Sequence, residues 1–156
     1  MTTNKNLFFL LLGLLFCTTT QAQSDDFRKV IKDIMSQSEA VIDEIIEAEL
    51  EVVRLEYDLV RDSKNSFRVL SPNYTYGIIA FGDVNRFEDV DLVVYKSDGK
   101  GGWDEVGKDT DNTNEAVVKV EPDESAEYRF EVKAAKFKEG NSIGNYCLII
   151  CNKEKE

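Results

Sequence analysis

The sequence predicts a mainly β fold: an antiparallel β-sandwich of seven or eight strands, preceded by one long N-terminal amphipathic helix. Before residue 50, apolar residues recur every three or four positions, and after it they alternate with polar residues. Beyond residue 60, short alternating segments are separated by turns rich in Gly, Asn, Asp and Ser. No helical periodicity lies between these segments, which favours antiparallel pairing over βαβ units.

Residues 1–22 are expected to form a cleavable signal peptide. Lys5 precedes a ten-residue apolar run at positions 7–16, which is too short to cross a bilayer because a spanning helix needs about 20 residues. Small residues at Thr20 and Ala22 place the cleavage after Ala22. The mature protein is therefore expected to be exported, and to be periplasmic or secreted.

Cys17 raises a lipid anchor as an alternative, because acylated cysteines follow a short apolar run. This alternative is disfavoured, since the bulky Phe16 stands where lipoprotein processing favours a small residue. No second apolar segment approaches the length of a transmembrane helix, so the sequence predicts no transmembrane segment in the mature chain.

The amphipathic helix is assigned to residues 23–52. Ser24 supplies a capping hydroxyl, and Asp25 and Asp26 follow at the positive end of the helix dipole. The apolar stripe consists of Phe27, Val30, Ile31, Ile34, Met35, Val41, Ile42, Ile45 and Ile46. We expect this stripe to pack on the chain's own sandwich. Association with a partner or a second copy through residues 27–46 is the alternative.

The sandwich is assigned to residues 53–152, followed by a charged tail at 153–156. Leu55, Tyr57 and Leu59 alternate with polar residues and indicate a half-buried strand, so the helix ends somewhere between residues 50 and 60. A hairpin turn is predicted at 97–102. Further strands are predicted around residues 67–69, 76–81, 91–95, 103–106, 116–120, 128–132 and 146–151.

Several short motifs follow one another between residues 57 and 152. They are YGIIAFGD at 76–83, DVDLVVY at 89–95, DG at 98–99, KDTD at 108–111, VVKVEP at 117–122 and YRFEV at 128–132. Their order resembles that of bacterial pre-peptidase C-terminal (PPC-like) domains. The resemblance implies a jelly-roll sandwich with a binding or stabilising role and no catalysis, with collagen or polysaccharide among the ligands. Such domains usually accompany a larger partner domain, whereas only the helix precedes this one.

Composition excludes several classes of function. The chain has 19 basic and 30 acidic residues and a net charge of −11, which becomes −12 once Lys5 is removed. Nucleic acid and anionic lipid are excluded as partners because both need clustered basic residues. The absence of histidine removes Ser-His-Asp and Cys-His catalysis and His-ligated zinc. With no recognisable catalytic motif, we interpret the protein as a non-enzyme.

Cys147 and Cys151 are the two cysteines of the mature chain, and they lie in one predicted strand. Residues four positions apart in a strand share a face but sit about 13 Å apart. A disulfide needs Cα atoms closer than about 7 Å. We therefore expect no disulfide and two small buried side chains.

Five aspartates are candidate calcium ligands. Asp83, Asp89 and Asp91 bracket the entry to one strand, and Asp109 and Asp111 lie in one loop. Ca²⁺ takes six to eight oxygen ligands, which two neighbouring acidic loops can supply. No EF-hand spacing is present, and short acids also favour turns through hydrogen bonds to the backbone. Calcium is the one cofactor that the sequence suggests.

Trp103 and Tyr74 are candidate ligand-binding residues. Trp103, the single tryptophan, follows Gly101 and Gly102 at the hairpin, where an exposed aromatic ring can stack on a sugar or anchor a protein. The alternative is that Trp103 folds back and caps the sandwich, and Tyr74 carries the same two alternatives.

Together these features predict an exported, non-catalytic binding module for a glycan, matrix or protein ligand, with calcium as a candidate aid. The alternative is a structural or interaction protein that associates through its N-terminal helix.

Overall fold

The computed structural model describes residues 28–155. The predicted signal peptide (residues 1–22, with Cys17) and the predicted helix start at residues 23–27 lie outside the described residues. Helix α1 occupies residues 28–47. Eight strands follow it: β1 (Glu51–Val60), β2 (Ser63–Leu70), β3 (Tyr74–Gly82), β4 (Phe87–Ser97), β5 (Trp103–Asp109), β6 (Glu115–Val120), β7 (Ala126–Phe137) and β8 (Gly144–Glu154).

The strands form two four-stranded sheets. Sheet A has the order β1-β8-β3-β6, and sheet B has the order β2-β7-β4-β5. All pairs are antiparallel, and β1 pairs with β8, β2 with β7, β3 with β6 and β4 with β5. The chain is therefore one long hairpin rolled over itself, which is the jelly-roll arrangement. The predicted mainly β sandwich of seven or eight strands, preceded by one helix, is confirmed, and the number of strands is eight.

The main core lies between the two sheets. Alternate residues of the facing strands point into it, as the period of two in each strand requires. Strand β8 differs, because every residue from 144 to 152 is buried. Its inward side chains, such as Leu148 and Ile150, belong to the main core. Its outward side chains lie under the helix, which explains the uninterrupted apolar run of this strand.

Helix α1 covers the outer face of sheet A. Ile34 and Ile45 are almost fully buried and pack against Phe81, Cys147 and Ile149. The helix thus packs on the chain's own sandwich, as its apolar stripe predicts. Burying two isoleucines of this kind stabilises the fold by about 1.5–3 kcal/mol each. Within residues 28–155, no helix is long and apolar enough to cross a membrane.

The assignment of residues 23–52 to the helix is wrong at its C-terminal end. The helix ends at residue 47, and β1 begins at Glu51. Glu49 adopts a positive φ of 58°, its amide bonds to the Ile46 carbonyl, and the Leu50 amide bonds to the Ile45 carbonyl. This is a Schellman motif. The sequence did not reveal it because glutamate occupies the position where glycine usually marks the end of a helix.

The predicted charged tail at residues 153–156 is also wrong in part. Lys153 and Glu154 belong to β8 and pair with Thr75 and Tyr74 of β3. The Lys155 amide donates to the Asn73 carbonyl at 2.9 Å. The strand continues through these charged residues because backbone pairing with β3 does not depend on side-chain polarity, so the alternation of apolar residues could not show it.

Candidate functional site

The outer face of sheet B is open, in contrast to that of sheet A. No helix covers it within the described residues. On β2, Ser66 and Leu70 point into the sandwich, and Phe67 and Val69, which alternate with the inward positions, point outward. Phe67 and Val69 consequently remain 47% and 60% exposed. Exposed apolar residues that are neighbours on one face mark a surface available for binding.

Four side chains from four different strands meet on this open face, and we call them the aromatic platform: Phe67, Tyr95, Trp103 and Arg129. Phe67 of β2 lies opposite Arg129 of β7, and Arg129 lies opposite Tyr95 of β4. Trp103 opens β5, and its ring lies 5.7 Å from the Phe67 ring at an angle of 54°. This tilted geometry is typical of favourable aromatic pairs.

Arg129 lies at the centre of the platform. Its guanidinium carbon is 4.1 Å from the centre of the Tyr95 ring and 5.2 Å from the centre of the Trp103 ring. Both distances are within the range of cation–π attraction. The Arg129 Nε atom is buried and has no hydrogen-bond partner within the described residues. Two aromatic rings therefore lie against the guanidinium, and no carboxylate of the described residues is within 4.0 Å of it.

Two acids that border the platform, Glu131 and Glu105, have partners of their own. The Tyr95 hydroxyl donates to Glu131 Oε2 at 3.2 Å, and Lys133 Nζ lies 3.5 Å from the same oxygen. Glu105, which lies opposite Tyr95 on β5, pairs with Lys108 at 2.9 Å. Their charges are thus balanced locally.

Of the two aromatic residues singled out in the sequence, only Trp103 belongs to the platform. Trp103 is partly buried and lies across the outside of sheet B. Tyr74 lies in sheet A, packs against the main core and has its ring 6.1 Å from that of Tyr76. The structure therefore does not bring Tyr74 and Trp103 into one site.

Sequence reasoning missed three members of the platform: Phe67, Tyr95 and Arg129. The signal available was the alternation within β7, where Arg129 stands between the inward Tyr128 and Phe130 and therefore has to point outward. That alternation does not say which residues of β2 and β4 are its neighbours, because the register between strands is not local information.

Asp83 is fully buried at the end of β3. Its Oδ1 accepts a hydrogen bond from the Asn85 amide at 2.9 Å, and Arg86 Nε lies 3.6 Å from its Oδ2. Its backbone carbonyl accepts from the amides of Arg86 and Phe87. Asp83 therefore holds the turn between β3 and β4.

Asp109 links the two sheets at their β5–β6 edge. Its Oδ2 accepts from the Val117 amide at 2.9 Å, and its Oδ1 accepts from the Asp111 amide at 3.1 Å. Asp89 and Asp91 lie on β4, opposite Lys136 and Lys133. Burial, and next the Asp89 carboxylate, raise the pKa of Asp91.

Within residues 28–155, no three or more His, Cys, Asp or Glu side chains are grouped so that they could hold a metal ion. The five aspartates are thus placed at a turn, at a sheet edge and along one strand, and calcium binding stays a prediction.

Cys147 and Cys151 are free and buried. Both lie beneath helix α1, in the cluster that contains Ile34 and Ile45. Burial raises the pKa of the Cys147 thiol to about 12, and it also raises that of Cys151. Cys151 Sγ donates to the Gly77 carbonyl at 3.5 Å, and a Cβ at residue 77 would come within 2.9 Å of this sulfur. These are packing residues, because a reactive thiol needs a lowered pKa and access.

No protein-family model matches the chain, and no curated protein matches it. Among solved structures, it is similar to PliG, a periplasmic inhibitor of g-type lysozyme from Aeromonas hydrophila, at 11% identity over 64% of this chain and 85% of that one, with a TM-score of 0.46. It is similar to the Yersinia pseudotuberculosis-derived mitogen at 14% identity over 66% and 87%, with a TM-score of 0.44.

The PPC domain of the Bacillus anthracis collagenase is also similar, as the sequence motifs predict. The identity is 11% over 62% of this chain and 87% of that one, with a TM-score of 0.45. At identities this low, the likeness to all three structures is one of fold alone.

Proposed function

We propose that the mature chain is an exported, non-catalytic binding module and that its ligand, an extracytoplasmic glycan, lies on the aromatic platform. One observation carries the proposal: Phe67, Tyr95 and Trp103 converge around Arg129 on the sheet face that helix α1 leaves open.

The chemistry of the platform suits a sugar ring. The face of an aromatic ring is electronegative, so the C–H groups on the apolar face of a pyranose are attracted to it. The guanidinium of Arg129 can donate to sugar hydroxyls, and the Glu131 carboxylate can accept from them. All four platform residues lie on strands, so little ordering is required when the ligand binds.

Export and the absence of catalysis rest on the sequence. The proposed signal peptide directs the chain out of the cytoplasm. The full sequence contains no histidine, and the platform holds a cation and three rings rather than a nucleophile with a base.

The proposal is tested with an array of glycans and extracellular-matrix proteins, probed with the mature protein. We expect the mature protein to bind a glycan on the array. Trp103→Ala should reduce this signal about tenfold or more, and Phe67→Ala should also weaken it. Trp103→Phe should largely retain the signal because a ring remains.

Val117→Ala is the control, because the exposure of Val117, 51%, is similar to that of Phe67, but Val117 lies on β6 of sheet A. A glycan signal that Trp103→Ala leaves unchanged in a folded protein would rule the platform out, whereas a Trp103-dependent signal on matrix proteins alone would replace glycan by protein as the ligand.

Self-association through helix α1 is the second candidate. Met35 and Ile46 remain 47% and 62% exposed, although Ile34 and Ile45 of the same helix are buried on sheet A. Sizing of the mature protein and of the Met35→Lys/Ile46→Lys variant tests it. A dimer that the variant loses supports helix association, and a monomer in both excludes it.

Calcium is tested separately, because the proposed glycan site does not include the five aspartates. A ligand that binds the native state must raise stability. Thermal unfolding in millimolar CaCl₂ is therefore compared with thermal unfolding in chelator. A higher midpoint temperature in calcium would show that the ion binds, and equal midpoints would exclude calcium from the function.

A further inference from the structure

We infer that the sugar bound on the platform is acidic: a pyranose that carries one carboxylate, of the uronic-acid type, with the carboxylate held by Arg129. This inference rests on the proposed function and names its ligand class.

The first argument is charge. Acidic residues outnumber basic ones by 30 to 19 in this chain, and three basic residues near the platform have carboxylate partners. Lys133 pairs with Glu131, Lys108 with Glu105 and Arg54 with Glu56. Lys133 and Lys108 lie on sheet B like Arg129, and Arg54 donates from β1 to the Phe67 carbonyl. Arg129 differs from them, because no carboxylate of the described residues is within 4.0 Å of it. An acidic group on a ligand would complete the pattern that its neighbours show.

The second argument is geometry. Tyr95 and Trp103 contact the guanidinium of Arg129 and fix its orientation. Its Nε atom is buried and has no hydrogen-bond partner, and neither of its two terminal nitrogens is in that condition. Arg129 as a whole is partly exposed. Two terminal N–H groups in one plane match the two oxygens of a carboxylate, and such paired bonds are among the strongest hydrogen bonds in proteins.

The third argument limits the length of the ligand. The protein has a net charge of −11, and this repels extended polyanions. One carboxylate can be accommodated beside Arg129, because Glu131 and Glu105 are already paired with lysines. A single or terminal acidic sugar therefore fits better than a polyuronate.

Three monosaccharides of one ring geometry test the inference: glucuronate, its neutral amide glucuronamide, and glucose. The probe is the indole N–H signal of Trp103 in a ¹H–¹⁵N spectrum, which is unambiguous because the chain contains one tryptophan. We expect glucuronate to shift this signal with an affinity about tenfold or more above that of the two neutral sugars. Added salt should weaken glucuronate selectively.

Arg129→Gln should remove the preference for glucuronate over glucuronamide, and Arg129→Lys should retain part of it because the charge stays while the planar fork is lost. Should Arg129→Gln fail to fold, the comparison of glucuronate with its amide on the unchanged protein still decides.

Equal affinities for the three sugars would overturn the inference and leave the proposed function intact. Absence of any shift would also overturn it, and the glycan array would then decide the proposed function alone. A preference for glucuronate that Arg129→Gln leaves unchanged in a folded protein would place the carboxylate elsewhere.

Discussion

The Leu50 amide donates to the Ile45 carbonyl at 3.0 Å, across the turn that ends the helix. The side chains of the same two residues pack together in the cluster on sheet A. A hydrophobic contact of this kind commonly accompanies a Schellman motif. The packing of Leu50 and Ile45 on the sheet thus stabilises the end of the helix, while Glu49 between them adopts the left-handed conformation.

Glu49→Gly should stabilise the protein by about 1 kcal/mol, because glycine adopts a positive φ without the steric cost that glutamate bears. The Glu49–Lys153 contact that it removes is exposed and 3.6 Å long, so its loss should matter little. Urea unfolding measures the change. The matched control is Glu39→Gly, exposed in the middle of the helix, which should lose about 1 kcal/mol. Destabilisation of both variants would contradict this account.

Ile34→Ala should destabilise the protein by about 2–5 kcal/mol, because Ile34 is 1% exposed and anchors the helix on sheet A. The same change should speed the reaction of Cys147 and Cys151 with a thiol reagent, since the helix covers both. Ile46→Ala is the control on the same helix: Ile46 is 62% exposed, and the variant should stay within about 0.5 kcal/mol of the parent. Equal thiol reactivity in the two variants would show that the helix does not protect the cysteines.

Stability should fall as the pH rises above about 9, and part of this loss should come from Cys147. Its pKa is raised from 9.0 to about 12 by burial, so between these values the unfolded chain has released the proton that the folded chain keeps. The free energy of unfolding is therefore unaffected by this thiol below about pH 9. Between pH 9 and pH 12 it falls by up to about 1.4 kcal/mol per pH unit. Urea unfolding at several alkaline pH values should give a shallower slope for Cys147→Ala than for the parent. Identical slopes would mean that this thiol does not titrate as its burial requires.

Glu56→Ala should cost about 1–3 kcal/mol, because Glu56 accepts hydrogen bonds from Tyr146 and Ser66 that would lose their partner inside the sandwich. Asp58, two residues further along β1, pairs with Lys64 at the surface. Asp58→Ala should therefore stay within about 0.5 kcal/mol of the parent. Chemical unfolding of the two variants gives the comparison, and similar costs would contradict the distinction between them.

Much of the fold was predictable because its determinants are local. The period of two in each strand and the turn residues between strands located all eight strands, and the helical stripe correctly indicated packing on a sheet. The orientation of the β1 side chains was harder to predict from the sequence. Leu55 and Tyr57 point away from the main core and remain 42% and 39% exposed, while Glu56 points inward. An edge strand tolerates this arrangement because one side of it lacks a covering neighbour.

The mainly β class, the seven or eight strands and the preceding helix could all be predicted from the sequence, since periodicity and turn chemistry are properties of neighbouring residues. The end of the helix depends on tertiary packing, because Glu49 takes the left-handed conformation there when Leu50 packs on the sheet. The aromatic platform also depends on the tertiary structure, because Phe67 and Arg129 come from distant parts of the chain. Their meeting depends on the register between β2 and β7, which the alternation within either strand cannot specify.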